Sequence, residues 1–172
     1  MVEVAGNSGE VTGGVRATDC IGCVAGKCVD VMGSNEATDC IDCVAGRYVD
    51  STGHDSASGC IECVAGTYVE ISGSDEPTDC VLCGAGKYST VVGSSAADDC
   101  SDCVAGKYLE TAGGDEEADC ALCGAGKYSI EVGSCSEGDC ADCLAGKYIA
   151  PLGGAEDAAG WRGGVWLSSA VG

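Results

Sequence analysis

The chain has 172 residues, a net charge of −20, 16 cysteines, 29 glycines and no phenylalanine. Large apolar side chains are too few to offset the cost of ordering a glycine-rich backbone, so we expect covalent or metal cross-links to support the fold. The negative charge argues against nucleic-acid and anionic-membrane partners, which attract clusters of Lys and Arg. No segment approaches the roughly 20 apolar residues that span a bilayer, and residues 1–14 lack the basic and apolar regions of a signal peptide.

A 20-residue repeat organises most of the sequence. Each copy begins Cys-x-x-Cys-x-Ala-Gly and has a second glycine further on; the copies start at Cys20, Cys40, Cys60, Cys80, Cys100, Cys120 and Cys140. A fixed period of this length indicates an array of stacked modules, not one globular domain. We therefore predict a small disulfide-rich repeat protein, an elongated rod of 20-residue cysteine-rich modules with short β-strands and little helix.

The array is incomplete at both ends. Residues 1–19 form a partial, degenerate repeat, because Val4-Ala5-Gly6 keeps the register while Glu3 replaces a cysteine. Seven tandem repeats occupy residues 20–153. Residues 154–172 match no repeat, and we expect this tail to be disordered. We therefore expect the chain to be part of a longer array, in which an upstream region would carry the signal peptide.

Each module has a basic part and an acidic part. All six tyrosines occupy one repeat position, where Cys28 stands in the first copy, and Lys or Arg precedes that position everywhere except at Thr67. We expect each tyrosine to cover a disulfide, and each basic side chain to be a solvated counter-charge to the acidic turns. The five residues from tyrosine onward, such as residues 48–52, predict one short strand, and a turn follows. His54 is expected to be a surface turn residue.

The cysteines admit three interpretations, of which the first is disulfides. A bridge within one Cys-x-x-Cys motif would be strained. Joining the second cysteine of each repeat to the first of the next gives equal loops, each stabilised by about 3 kcal/mol on the chain-entropy model. Those pairs are Cys23–Cys40, Cys43–Cys60, Cys63–Cys80, Cys83–Cys100, Cys103–Cys120 and Cys123–Cys140. The four remaining cysteines lie eight residues apart in two further pairs, Cys20–Cys28 and Cys135–Cys143.

The other interpretations are metal binding and thiol catalysis. Two Cys-x-x-Cys pairs also fit a four-cysteine zinc site, as in an intracellular zinc-binding array, although seven pairs cannot be divided into two-pair sites. Redox catalysis would need the motif at a helix N-terminus, which the sequence does not predict. Acidic clusters such as residues 115–119 are candidate Ca²⁺ ligands, but they lack EF-hand spacing and a Ca²⁺ site needs about six oxygens. We predict no catalytic or cofactor-binding residue.

The repeat resembles the ephrin-receptor-like cysteine-rich repeat, whose usual form is Cys-x-x-Cys-Pro-x-Gly-Thr-Tyr with a glycine before the next cysteine. It is also similar to the first half of a tumour-necrosis-factor-receptor cysteine-rich module. The likeness covers about residues 4–153, but Val44, Gly84 and Leu144 illustrate the loss of the family's proline. The resemblance implies the disulfide pairing of the first interpretation and a secreted or cell-surface location. It also implies a non-catalytic role in spacing, adhesion or receptor-like binding of other extracellular proteins.

Overall fold

The computed structural model describes residues 20–149 and the backbone of residues 7–8 and 168–169. The partial repeat predicted at 1–19 and the disordered tail predicted at 154–172 therefore lie outside the described residues, apart from those two backbone segments. Within 20–149 the helical segments are 3-10 turns: Ala37–Asp39, Ala57–Gly59, Pro77–Asp79, Ala97–Asp99, Glu117–Asp119 and Glu137–Asp139. In this part of the chain no helix combines the length and the apolar character that crossing a membrane requires.

The strands are two residues long. In each described repeat one strand lies between the two cysteines of the motif, and a second strand ends at the tyrosine position. In chain order they are β1 Asn7–Ser8, β2 Ile21–Gly22, β3 Lys27–Cys28, β4 Ile41–Asp42, β5 Arg47–Tyr48, β6 Ile61–Glu62, β7 Thr67–Tyr68, β8 Val81–Leu82, β9 Lys87–Tyr88, β10 Ser101–Asp102, β11 Lys107–Tyr108, β12 Ala121–Leu122, β13 Lys127–Tyr128, β14 Ala141–Asp142, β15 Lys147–Tyr148 and β16 Ser168–Ser169.

The strands pair antiparallel between consecutive repeats. In the β5–β6 pair, Arg47 lies opposite Glu62 and Tyr48 lies opposite Ile61. A parallel bridge also joins Tyr48 to Ser74 of the same neighbouring repeat. The prediction of a strand that begins at tyrosine was wrong, because the strand ends there and the next residue turns into the core. Pairing of this kind depends on contacts between repeats, which the local pattern of apolar residues does not reveal.

Hydrogen bonds between backbones connect each repeat to the next. The N–H of Gly73 donates to the carbonyl of Cys43 at 2.8 Å, and the N–H of Gly46 donates to the carbonyl of Val69 at 2.9 Å. Equivalent bonds recur along the array with the repeat period. The result is the predicted elongated rod of cysteine-rich modules with short strands.

Each Ala-Gly pair of the motif forms a tight turn that needs glycine. The N–H of Arg47 donates to the carbonyl of Val44 at 3.2 Å, and Gly46 has a φ of +86°, as the third residue of a type II turn requires. A Cβ atom at Gly46 would overlap the carbonyl oxygen of Gly93, which lies two repeats further on. Packing along the rod therefore reaches beyond the adjacent module.

Candidate functional site

The most regular chemical feature of the described chain is a series of six disulfides. They join Cys23–Cys40, Cys43–Cys60, Cys63–Cys80, Cys83–Cys100, Cys103–Cys120 and Cys123–Cys140, which are the six pairs that the sequence favoured. Each spans 17 residues, and the Cα atoms lie 5.7–5.8 Å apart. Sulfurs bonded in this way are not the thiolates that a zinc site or a redox motif requires.

The disulfides pack against the few side chains that each loop buries. Val29 packs with Cys23 and Cys40, and Leu109 packs with Cys103 and Cys120. Tyr88, from the preceding repeat, packs against the Leu109 cluster. The prediction that the tyrosine covers a disulfide is therefore confirmed at Tyr88. Because each module buries so few apolar side chains, the cross-link carries much of its stability.

Four cysteines lie outside these bridges. The structure leaves Cys20, Cys28, Cys135 and Cys143 as free thiols, so the predicted bridges Cys20–Cys28 and Cys135–Cys143 are absent from it. Cys28 is 1% exposed and occupies the place of the tyrosine, whereas Cys135 lies on the surface of an acidic turn. Equal spacing in sequence did not bring these thiols together, because the two cysteines of each pair differ in burial.

Cys28 has a distinctive environment. It belongs to one buried cluster with Val49 and with Cys43 and Cys60, which form a disulfide with each other. Burial, together with the negative charge of Asp30, raises the pKa of the Cys28 thiol above its ordinary value. The thiol is therefore protonated and weakly nucleophilic at neutral pH while the module stays packed.

Basic side chains form ion pairs across the strand junctions. Four of the pairs join the residue before the tyrosine position to an acid inside the next Cys-x-x-Cys motif: Lys27–Asp42, Arg47–Glu62 at 2.6 Å, Lys87–Asp102 at 2.7 Å and Lys127–Asp142 at 3.1 Å. The predicted counter-charges in the acidic turns were thus the wrong partners at these four places. Partly exposed pairs of this kind contribute roughly 0.2–1 kcal/mol each.

The exceptions to this pairing explain an irregularity of the sequence. Thr67 lies opposite Leu82, so no acid is available where the cation is missing. Lys107 lies opposite Leu122 and instead pairs with Glu117 at 3.1 Å, the one ion pair of the described residues that involves an acidic turn. The basic residue is therefore a structural partner of a nearby acid, which the opposing strand supplies at four places and the acidic turn supplies at Lys107.

An aspartate immediately before the motif closes five of the acidic turns. Asp79 Oδ2 accepts the backbone N–H groups of Asp75 and Glu76 at 3.1 and 3.2 Å. The same two bonds are made by Asp39, Asp99, Asp119 and Asp139. This role was not predicted from the sequence, although an aspartate that recurs directly before the first cysteine is a signal for a side-chain cap.

The second repeat replaces this aspartate with Gly59. A Cβ atom there would overlap the imidazole of His54, whose Nε2 lies 2.9 Å from the hydroxyl of Ser51. Ser56 accepts the N–H of Ser58 at 3.1 Å and supplies a replacement cap. His54 is thus a partly buried turn residue that fills the space above a glycine.

The candidate Ca²⁺ ligands form a cluster in one of these turns. Single carboxylate oxygens of Asp115, Glu116 and Asp119 lie within 4.8 Å of one another. Asp119 already accepts the backbone N–H groups of the other two residues at 2.9 and 3.2 Å. Because the same cap occurs in turns without three acids, the turn itself accounts for this geometry. Ca²⁺ binding stays a prediction.

Comparison with known families agrees with this geometry. Residues 46–100 match the family model described as tyrosine-protein kinase ephrin type A/B receptor-like. This stretch of the array is therefore similar to that family. It contains the complete Cys63–Cys80 and Cys83–Cys100 bridges, and the same bridge recurs in the described repeats on either side. No curated protein was found to match the chain. The family match and the disulfides together fit an extracellular repeat region.

Proposed function

We propose that this chain is a non-catalytic extracellular spacer whose disulfides limit its length under tension. The observation that carries the proposal is the pairing of the cysteines, because it determines which residues transmit a pulling force. In the second repeat, for example, the force is transmitted along the backbone from Cys40 to Cys43 and then through the disulfide to Cys60. The path is the same in the other bridged repeats. The 16 residues between Cys43 and Cys60 are bypassed.

The geometry gives a large difference between the bridged and the unbridged chain. Three extended residues span about 10 Å, to which the bridge adds a Cα–Cα distance of 5.8 Å. A bridged repeat therefore reaches about 16 Å at most, whereas 20 extended residues without a bridge span about 70 Å. The cross-links thus restrict the array to roughly a quarter of its open contour length.

A non-catalytic role is supported by the structural contacts that the polar residues make. The aspartates before the motifs cap turns, and four of the six cations within residues 20–149 pair with acids of the opposing strand. A shallow depression lined by Asn35, Glu36, Ala37 and Thr38 belongs to one of these turns, where the Thr38 hydroxyl donates to the Glu36 carboxylate at 3.1 Å and Asp39 caps the backbone. These polar residues therefore have structural roles in the fold of each repeat.

Deletion of whole repeats tests the spacer proposal. Removing residues 60–79 brings Cys80 into the place of Cys60, with the same 16 residues after Cys43, so the bridge pattern is preserved. We expect small-angle X-ray scattering to show a shorter maximum dimension by one module. Removing residues 100–119 as well should shorten it by the same increment again. Deletions that leave the maximum dimension unchanged would contradict the rod, and unequal increments would contradict a uniform spacer.

Thiol counting separates the spacer from the intracellular zinc array. With zinc chelated and the protein denatured, a secreted array should show four reactive thiols per chain, from Cys20, Cys28, Cys135 and Cys143. A zinc array would show all 16 cysteines as thiols after chelation. The count should not change with chelator if the disulfide assignment is right.

Protein binding is a second candidate function, supported by a row of exposed aliphatic residues. Ile21, Ile41, Ile61 and Val81 occupy one repeat position and are 48–58% exposed. The same position holds Ser101, Ala121 and Ala141 in the later repeats. If adhesion uses this row, an Ile41→Ser/Ile61→Ser variant should lose cell-surface binding measured by flow cytometry, while a Val104→Ser variant keeps it. Equal binding by all variants would leave spacing as the function.

A further inference from the structure

Cys28 places a free sulfur against one disulfide of the series. Its side chain is 1% exposed and shares a buried cluster with both members of the Cys43–Cys60 bridge. In the following repeats this position is tyrosine, and Tyr88 packs against the equivalent Cys103–Cys120 bridge. The first described repeat therefore has a nucleophilic sulfur where the others have a ring that cannot exchange with a disulfide.

We propose that Cys28 makes the Cys43–Cys60 bridge a site of intramolecular thiol–disulfide exchange. The Cys28 thiolate attacks Sγ of Cys43, a Cys28–Cys43 bond forms, and the Cys43–Cys60 bond breaks. Cys60 leaves as a thiolate and takes up the proton that Cys28 lost to solvent. The number of disulfides is unchanged, so the step needs neither an oxidant nor a reductant.

Loop entropy does not oppose the exchange. The native bridge spans 17 residues, and a Cys28–Cys43 bridge would span 15, so closing either loop costs nearly the same entropy. A Cys28–Cys60 bridge would close a loop about twice as long, which makes Cys43 the favoured sulfur. Packing of the folded module, not loop length, is therefore what holds the native pair.

The surrounding contacts explain when the exchange would occur. The N–H of Val29 donates to the carbonyl of His54 at 3.0 Å, and the N–H of Cys43 donates to the carbonyl of Gly26 at 2.8 Å. These bonds fix the backbone on both sides of the sulfur cluster. Local opening of this module would free Cys28 to attack and would expose its thiol to solvent. The exchange transfers the cross-link out of the 43–60 loop, and that module loses its covalent closure.

The test isolates Cys28 as the one free thiol. The full chain carries Cys20→Ser, Cys135→Ser and Cys143→Ser, none of which interrupts a bridge. The matched control carries the same three changes and Cys28→Tyr, the residue of the later repeats. Both proteins are incubated at mildly alkaline pH in denaturant below the unfolding midpoint, then quenched with acid, alkylated and digested for mass spectrometry of linked peptides.

We expect a Cys28–Cys43 linked peptide and an alkylated Cys60 to accumulate before any other new product. Links from Cys28 to cysteines of later repeats should form about tenfold more slowly, because those sulfurs are not its neighbours. New links spread evenly over the bridges would overturn the proposal. So would a Cys28–Cys60 link in place of Cys28–Cys43, exchange at Cys43–Cys60 that persists in the control, or no link while the fully denatured protein scrambles. The spacer role does not depend on this result.

Discussion

Removing one disulfide should lengthen the fully stretched, oxidised chain by a fixed amount. We choose a Cys63→Ala/Cys80→Ala variant, because no free thiol replaces the tyrosine beside this bridge. The bridge spans 17 residues, which extend to about 60 Å without it. Subtracting the native Cα–Cα distance of 5.7 Å leaves about 54 Å of hidden length that the variant releases. The loss of cross-linking should also lower the free energy of unfolding by about 3 kcal/mol.

Single-molecule force spectroscopy on the full chain, pulled from its two ends, measures this length directly. The wild-type protein is stretched in oxidising buffer and then held at constant force while a reductant is added. Six steps of about 54 Å are expected, one for each bridge that is reduced, and five are expected for the variant. Cys135→Ala is the control, because that cysteine lies outside the bridges and should change neither the length nor the number of steps.

Two results would refute the reasoning. An oxidised wild-type chain that extends as far as the reduced one would mean that the bridges do not carry the load. Steps of less than about 10 Å would instead indicate bridges inside each Cys-x-x-Cys motif, since those bridges hide only three residues. Either outcome would remove the basis of the proposed length limit.

Three further predictions concern single positions. Gly46→Ala should lower the free energy of unfolding by at least about 1–2 kcal/mol, because it forces a side chain into a left-handed backbone and against the Gly93 carbonyl, whereas Gly84→Ala faces open space and should be nearly neutral in denaturant unfolding. Ser74→Ala should raise stability by about 1 kcal/mol in the same assay, because the buried Ser74 hydroxyl has no hydrogen-bond partner, while Ser94→Ala should lower it by a similar amount because its hydroxyl is bonded. A stabilised Ser94→Ala variant would contradict this. Since the folded protein raises the pKa of Cys28, the folded state favours the protonated thiol. Wild-type stability relative to Cys28→Ser should therefore be constant below the ordinary thiol pKa, fall as pH rises through it, and level off above the raised value, as followed by denaturant midpoints across that range. A relative stability that rises with pH would contradict the assignment.

The cysteine pairing could be predicted because the same cysteine spacing recurs in every repeat. The separation between the second cysteine of one motif and the first of the next is constant, so one favourable loop is favourable everywhere. The resemblance to a known cysteine-rich repeat pointed to the same pairs. The glycine of the turn at Gly46 also has a sequence signal, because its positive φ suits glycine and little else.

The strands and ion pairs could not be predicted in the same way. A two-residue strand such as Arg47–Tyr48 has no alternation to detect, and its partner lies in the next repeat. The partner of Lys107 changed from the strand to the turn because Leu122 replaced an acid. The partner in an ion pair depends on which side chains face each other. This can be determined only when the strand register between repeats is known.

The exceptions in the sequence are linked to one another through this register. With the first cysteine of each repeat counted as position one, position ten contacts position fifteen in the repeats where both residues are serine. Ser89 bonds Ser94, and Ser129 bonds Ser134, through their hydroxyls at 3.3 and 3.2 Å.

Where the residue at position ten is larger than serine, the contact with position fifteen is different. A Cβ atom at Gly114 would lie 2.7 Å from Cδ2 of Leu109 and 3.2 Å from the carbonyl oxygen of Lys87, so a side chain there would force Leu109 to move. Val69 offers neither the hydroxyl of a serine nor the bulk of a leucine, and Ser74 is left buried without a partner. Variation at position ten is therefore accommodated by the Ser–Ser pairs and by the Leu109–Gly114 pair but not at Ser74, while the covalent frame stays the same.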